Sequence, residues 1–152
     1  MSTRPASTPA DLGFAQLLRA HGLRATTPRR AIYSVFADAV GADAANAHLD
    51  AEEVFQRVRV HLPELSRGTV LHELGELVEA GLLGLVDGPG PRRYDANVEP
   101  HHHFRCLECQ ELRDVDVASV EVTLRGPEFR YERAHVVLEG LCPKCAGRAG
   151  AA

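Results

Sequence analysis

Cys106-Leu107-Glu108-Cys109 and Cys142-Pro143-Lys144-Cys145 use all four cysteines of the chain. Two CxxC knuckles, with residues 110–141 between them, can present four thiolates to one ion, and a tetrahedral all-sulfur set suits Zn²⁺. The rival chemistry is a redox dithiol pair, or free thiols in a reducing compartment. A closed four-sulfur site leaves no open coordination position, so it staples a fold rather than catalysing. His101-His102-His103 stands just before the first knuckle. In an extended segment His101 and His103 share one face and His102 takes the other. With Asp95 upstream and Asp114 downstream they form a nitrogen-and-oxygen set, harder than thiolate, suited to Fe²⁺, Mn²⁺ or a second Zn²⁺. The plain alternative is a histidine run on a solvated strand. His135 with His102 and Glu121 is a candidate accessory metal site. No Ser/His/Asp arrangement, phosphate-binding glycine loop or nucleophile elbow appears.

Something must position these groups, and the chain reads as two architectures in series. Helix signals fill the first half. Thr8-Pro9-Ala10-Asp11 is a helix start with Leu12, Ala15 and Leu18 at helical spacing, ended by Gly22. Thr27-Pro28 opens a second helix with Ile32, Val35, Phe36 and Val40 on one face. Asp50-Ala51-Glu52-Glu53 is a capping-box start for a third, with Val54, Phe55, Val58 and Leu62 inward, and His48 lies just before it. Ser66 caps a fourth, whose Val70, Leu74, Leu77 and Val78 form a buried stripe before Gly81. Leu82 to Val86, the Gly88-Pro89-Gly90-Pro91 turn and Arg92-Arg93-Tyr94 then read as a hairpin.

Helices closed by a hairpin are the plan of a winged helix-turn-helix, predicted over 1–95. After a hinge at Asp95 to Pro100, strand-like pieces (Phe104 to Cys106, Leu112 to Val115, Arg130 to Leu138) surround one short helical piece, Val117 to Leu124. The predicted class is α+β, with 96–152 a small unit that needs a metal or a partner subunit to fold.

Charge argues against an indiscriminate nucleic-acid binder. The net charge is −4, and neither piece is positive when the chain is cut after Gly90. Lys144 is the one lysine among 17 basic residues, so DNA contact rests on placed arginines. In Ser66-Arg67-Gly68-Thr69-Val70-Leu71-His72-Glu73-Leu74, burial of Val70 and Leu74 turns Arg67 and Leu71 outward. An outward Leu71 is unused surface, a partner contact or an apolar contact to thymine methyl groups. The candidate DNA contacts are Arg24, Arg29, Arg30, Arg67, Thr69, Leu71, His72 and Arg92, with Arg93 beside them; for each arginine the alternative is ordinary solvated surface. No apolar run reaches the roughly 18–20 residues of a membrane span, and the N-terminus has no signal-peptide core. A cytoplasmic protein is expected.

The order of these motifs resembles the ferric uptake regulator family. The resemblance runs through Leu23-Arg24-Ala25-Thr26-Thr27-Pro28-Arg29-Arg30, His48 with Asp50-Ala51-Glu52-Glu53-Val54, and Leu62-Pro63-Glu64-Leu65-Ser66-Arg67-Gly68-Thr69-Val70. It continues in Leu77 to Leu82, Arg93-Tyr94-Asp95, His101 to Cys109 and Cys142 to Cys145. It implies a homodimeric, metal-dependent repressor that binds double-stranded operator DNA, is not an enzyme, carries structural zinc and needs no organic cofactor. By position the resemblance puts the regulatory metal on His48, Asp95, His101, His103 and Asp114. Aspartate at both carboxylate positions resembles the peroxide-sensing branch, which implies Fe²⁺-dependent oxidation of ligand histidines. Iron, zinc or other metal occupancy is the alternative signal.

The chain departs from the family pattern at Leu71, where tyrosine is usual, at Glu73 and at Arg29. A DNA-facing Glu73 would repel phosphate. Pro100 replaces a family histidine of the accessory site. From other classes, a small metallohydrolase using the His/Asp set and a zinc-stapled interaction module also accommodate parts of the pattern.

Overall fold

The computed structural model describes residues 9–117, 121, 132 and 134–149. The chain divides into two units, Met1–Val98 and Glu99–Ala152. The first holds α1 (Pro9–Ala20), α2 (Thr27–Ala42), a short 3-10 turn (Ala44–Asn46), β1 (His48–Asp50), α3 (Ala51–Val58), α4 (Arg67–Glu79), β2 (Gly84–Val86) and β3 (Arg93–Asp95). Thr26 caps α2, Asp50 and Glu53 complete a reciprocal capping box on α3, and Ser66 caps α4 by accepting from the Thr69 N–H. These side chains satisfy backbone N–H groups that the first helical turn leaves unpaired. Gly81, at φ +72, takes the left-handed turn that ends the helix.

Leu18, Ile32, Phe36, Val54, Val58, Val70, Leu74 and Leu77 are fully or almost fully buried and form one core. Val40, expected inward, is instead exposed near the end of α2. Leu82 and Leu83 precede the strand rather than belonging to it, and both are buried in that core. The sheet has three strands in the order β1-β3-β2, not the two of a bare hairpin. β1 is the addition: three residues are too short to show alternation, so only pairing with β3 defines them.

The second unit holds β4 (His102–Cys106), β5 (Leu112–Val115), β6 (Val137–Gly140) and α5 (Pro143–Ala149). The sheet order is β5-β4-β6, with β4 antiparallel to β5 and parallel to β6. The helix α5 starts inside the second knuckle, where no helix was expected. Thr8, most of the piece expected as helical from Val117 to Leu124, and residues 130, 131 and 133 of the last expected strand lie outside the described residues. No helix among the described residues is long and apolar enough to cross a membrane.

Candidate metal centres and nucleic-acid interface

The first knuckle follows β4 and the second opens α5, and their four Sγ atoms lie within 4.8 Å of one another. Cys109 Sγ is 3.9 Å from Cys142 Sγ. Zinc–sulfur bonds of about 2.3 Å at tetrahedral angles put neighbouring sulfurs about 3.8 Å apart, whereas a disulfide needs about 2.05 Å. The donors fit Zn²⁺.

Electrostatics agree with geometry. The backbone N–H groups of Cys109 and then Cys142 hold the Cys106 thiol down at about 6. The Glu111 N–H favours the Cys109 thiolate, but neighbouring sulfurs and desolvation outweigh it and push that thiol up to about 11. Thiolates crowded together ionise as a set once a dication joins them. Arg148 Nη2 also donates to Cys145 Sγ at 3.0 Å. That partner was missed in the sequence, although a cation three residues on along a helix is its readable signal.

The nitrogen-and-oxygen donors are gathered by strand pairing, separately in each unit. In the first, the register of β1 against β3 sets His48 opposite Asp95. His48 Nε2 lies 3.4 Å from Asp95 Oδ2 with both side chains buried, and Asp95 Oδ1 accepts from the Asn97 N–H at 2.8 Å. In the second unit, β4 against β5 sets His103 opposite Asp114, and His101 comes up beside them. His101 Nε2 is 2.8 Å from His103 Nε2 and 3.1 Å from Asp114 Oδ1, while His103 Nε2 is 3.7 Å from that oxygen.

His101 Nδ1 lies 2.6 Å from the Glu99 carbonyl oxygen, so that nitrogen carries the proton and donates it. In neutral His101 the Nε2 lone pair then faces a carboxylate oxygen. Two acceptors so close repel unless a cation sits between them, and donors on one ion with bonds of about 2.1 Å stand about 3 Å apart. These residues fit a divalent cation of intermediate hardness. His102 is half-buried on β4, whereas Glu121 and His135 are exposed. Among the described residues these three do not come together as a ligand group.

The arginines divide sharply. Arg29 is buried, so its placement among DNA contacts is corrected here. Its Nε donates to Glu73 Oε2 at 2.6 Å and its Nη1 to the Arg24 carbonyl at 3.1 Å, with Glu76 at 3.6 Å from Nη2. Glu73 is correspondingly buried and faces Arg29, not phosphate. The two departures from the family pattern compensate each other, tying α2 to α4.

Arg24, Arg67, Leu71, His72 and Arg92 are exposed, Leu71 by 53 %, and Thr69 and Arg30 are half-buried. Arg67 pairs with Glu52, Arg92 with Asp87, and Arg93 with Glu53 of the capping box. Each of these three arginines therefore has a carboxylate beside it, and α4 itself carries one arginine against Glu73, Glu76 and Glu79.

The first unit is a winged helix, and the second is built around four metal-suited cysteines. Residues 20–134 match the model of the ferric uptake regulator family. The transcriptional regulator FurA of Mycobacterium tuberculosis is 36% identical over 139 residues, covering 88% of this chain and 90% of that protein. A peroxide-responsive repressor of Staphylococcus aureus is 24% identical over 133 residues, covering 84% and 86%. The ferric uptake regulator of Vibrio cholerae superposes with a TM-score of 0.61 at 22% identity, over 85% of this chain and 99% of that one. The chain belongs to the ferric uptake regulator family. Its relatives regulate transcription and are not enzymes, which sets the metallohydrolase reading aside.

Proposed function

We propose that the chain is a homodimeric repressor whose operator binding depends on one divalent cation, Fe²⁺ or Mn²⁺, held by His48, Asp95, His101, His103 and Asp114. The observation that carries this is the gathering of these donors, His48 with Asp95 in one unit and His101, His103 and Asp114 in the other, with His101 Nε2 3.1 Å from Asp114 Oδ1 and 2.8 Å from His103 Nε2. Zn²⁺ belongs on Cys106, Cys109, Cys142 and Cys145 and holds the fold of 96–152, while 1–95 contacts DNA. Two ligands come from the DNA-binding part and three from the dimerisation part, so sharing one ion fixes the hinge between them. Loss of the ion frees the hinge and the spacing of the two recognition helices in a dimer. Arg24, Arg30, Arg67, Thr69, Leu71, His72 and Arg92 contact the operator.

Iron occupancy is the signal that membership of the ferric uptake regulator family favours. A peroxide response is the second reading, and the aspartates at 95 and 114 favour it. Bound Fe²⁺ would supply one-electron reduction of peroxide beside the ligand imidazoles, whereas Mn²⁺ does not readily do so. Zinc-bound thiolates in a closed site react more slowly. On this reading, peroxide adds one oxygen atom to His48 or His103 in iron-loaded protein and releases DNA, and manganese-loaded protein stays bound. Peptide mass spectrometry with a gel shift checks it. Oxygen found only on cysteine, or equal release from both metal forms, leaves metal occupancy as the signal. Metal-independent DNA binding removes the whole proposal.

A further inference from the structure

Glu52 stands in the first turn of α3, and its carboxylate takes one edge of the Arg67 guanidinium. Arg67 Nε donates to Glu52 Oε2 at 2.8 Å and Nη2 to Oε1 at 2.9 Å. Gln56 Nε2 donates to the same Glu52 Oε1 at 2.6 Å, and the guanidinium carbon lies 4.3 Å from the Phe55 ring centroid. Three residues of one helix therefore fix the first residue of α4, although its side chain is 61% exposed.

A guanidinium offers two forks of parallel donors, Nε with Nη2 along its side and Nη1 with Nη2 at its tip. Glu52 fills the side fork. The tip fork has no partner among the described residues and matches the O6 and N7 acceptors of guanine in the major groove. A phosphate is a poor occupant, because the Glu52–Arg67 pair has no net charge and the carboxylate repels a second anion nearby. A neutral base edge avoids that penalty and benefits from the fixed plane of the fork.

We propose that Glu52 is a positioning residue for sequence reading, locking Arg67 so that its tip fork reads one guanine in each operator half-site. This rests on the operator-binding reading above. That reading is tested by the preference of metal-loaded wild type for a duplex selected from a random library over a scrambled duplex. The present one is tested by replacing each guanine of the selected duplex, one at a time, with 7-deazaguanine, which lacks the N7 acceptor.

In wild type one guanine per half-site should show a penalty of about tenfold, within the range of a good bidentate contact. Glu52→Gln should shrink that penalty below about threefold while leaving affinity for the scrambled duplex unchanged or higher. Arg67→Lys, which keeps the charge but has no fork, should abolish the penalty. A merely structural role for Glu52 would weaken both duplexes alike, and a carboxylate that only competes with DNA would strengthen both alike when removed. Either result overturns the proposal, as does a full guanine penalty in Glu52→Gln or no sensitive guanine in wild type.

Discussion

In Met1–Val98 the side chains most completely withdrawn from water include Leu18, Ile32, Phe36, Val54, Val58, Val70, Leu74 and Leu77. In Glu99–Ala152 the buried described cluster is Cys106, Cys142 and Cys145 with Phe104 packed against it. Each large apolar side chain buried in the first contributes about 1.5–3 kcal/mol before ordering entropy is subtracted. Among the described residues of the second unit three cysteines offer little apolar area, and a metal bound there would add its binding free energy to folding. Among the described residues one unit has an oil core and the other a thiolate cluster. Both nevertheless place a histidine opposite an aspartate by antiparallel pairing, His48 with Asp95 and His103 with Asp114.

Stripping zinc, or replacing Cys106 by Ser, is the largest expected perturbation. It should unfold residues 96–152 and abolish dimerisation while the helices of the first unit persist. Circular dichroism and sedimentation check this, and a folded zinc-free dimer would contradict the contrast. Phe36→Ala should invert it. The first unit should lose about 3–5 kcal/mol through the cavity left behind, with bound zinc, measured by a chromogenic chelator, unchanged.

Arg29→Ala should cost about 3–5 kcal/mol, because Glu73 would be left as a buried charge without its partner. Adding Glu73→Leu to Arg29→Met should recover most of that loss in urea denaturation, since a buried pair replaced by packed apolar groups is often neutral. The pH effect should be smallest. The Arg67 hydrogen bond, helped by Gln56, holds the Glu52 carboxyl at about 2, below its ordinary 4.5. A lowered carboxyl contributes fully above its unfolded value, and that contribution is lost only as pH falls toward the folded one. The guanine preference should therefore stay flat between about pH 5 and 8 in fluorescence anisotropy.

Much of this protein is written in local pattern. The caps Asp50 with Glu53, and Ser66, and the stripe Val70, Leu74 and Leu77 were legible because capping and helical periodicity involve residues a few positions apart, whereas the cap of α2 is Thr26, one residue before the expected Thr27-Pro28 start. The two knuckles were legible because a CxxC carries its chemistry in its spacing. Cross-chain pairings were not legible. Nothing near His48 in sequence announces a strand, and β1 exists only through its register with β3, more than forty residues away. Arg29 looked like one of several exposed arginines until Glu73 folded against it, and Glu52 looked like part of a cap.

The sequence by itself located the four helices of the first unit, the four thiolates and the inventory of histidines and aspartates, because those depend on neighbours within a turn or a knuckle. Only the tertiary structure decided which arginine is buried, which carboxylate holds which guanidinium, and which histidine faces which aspartate. Those outcomes depend on burial and register between segments distant in the chain, and a side chain's charge has no fixed meaning until its partner and its exposure to water are set.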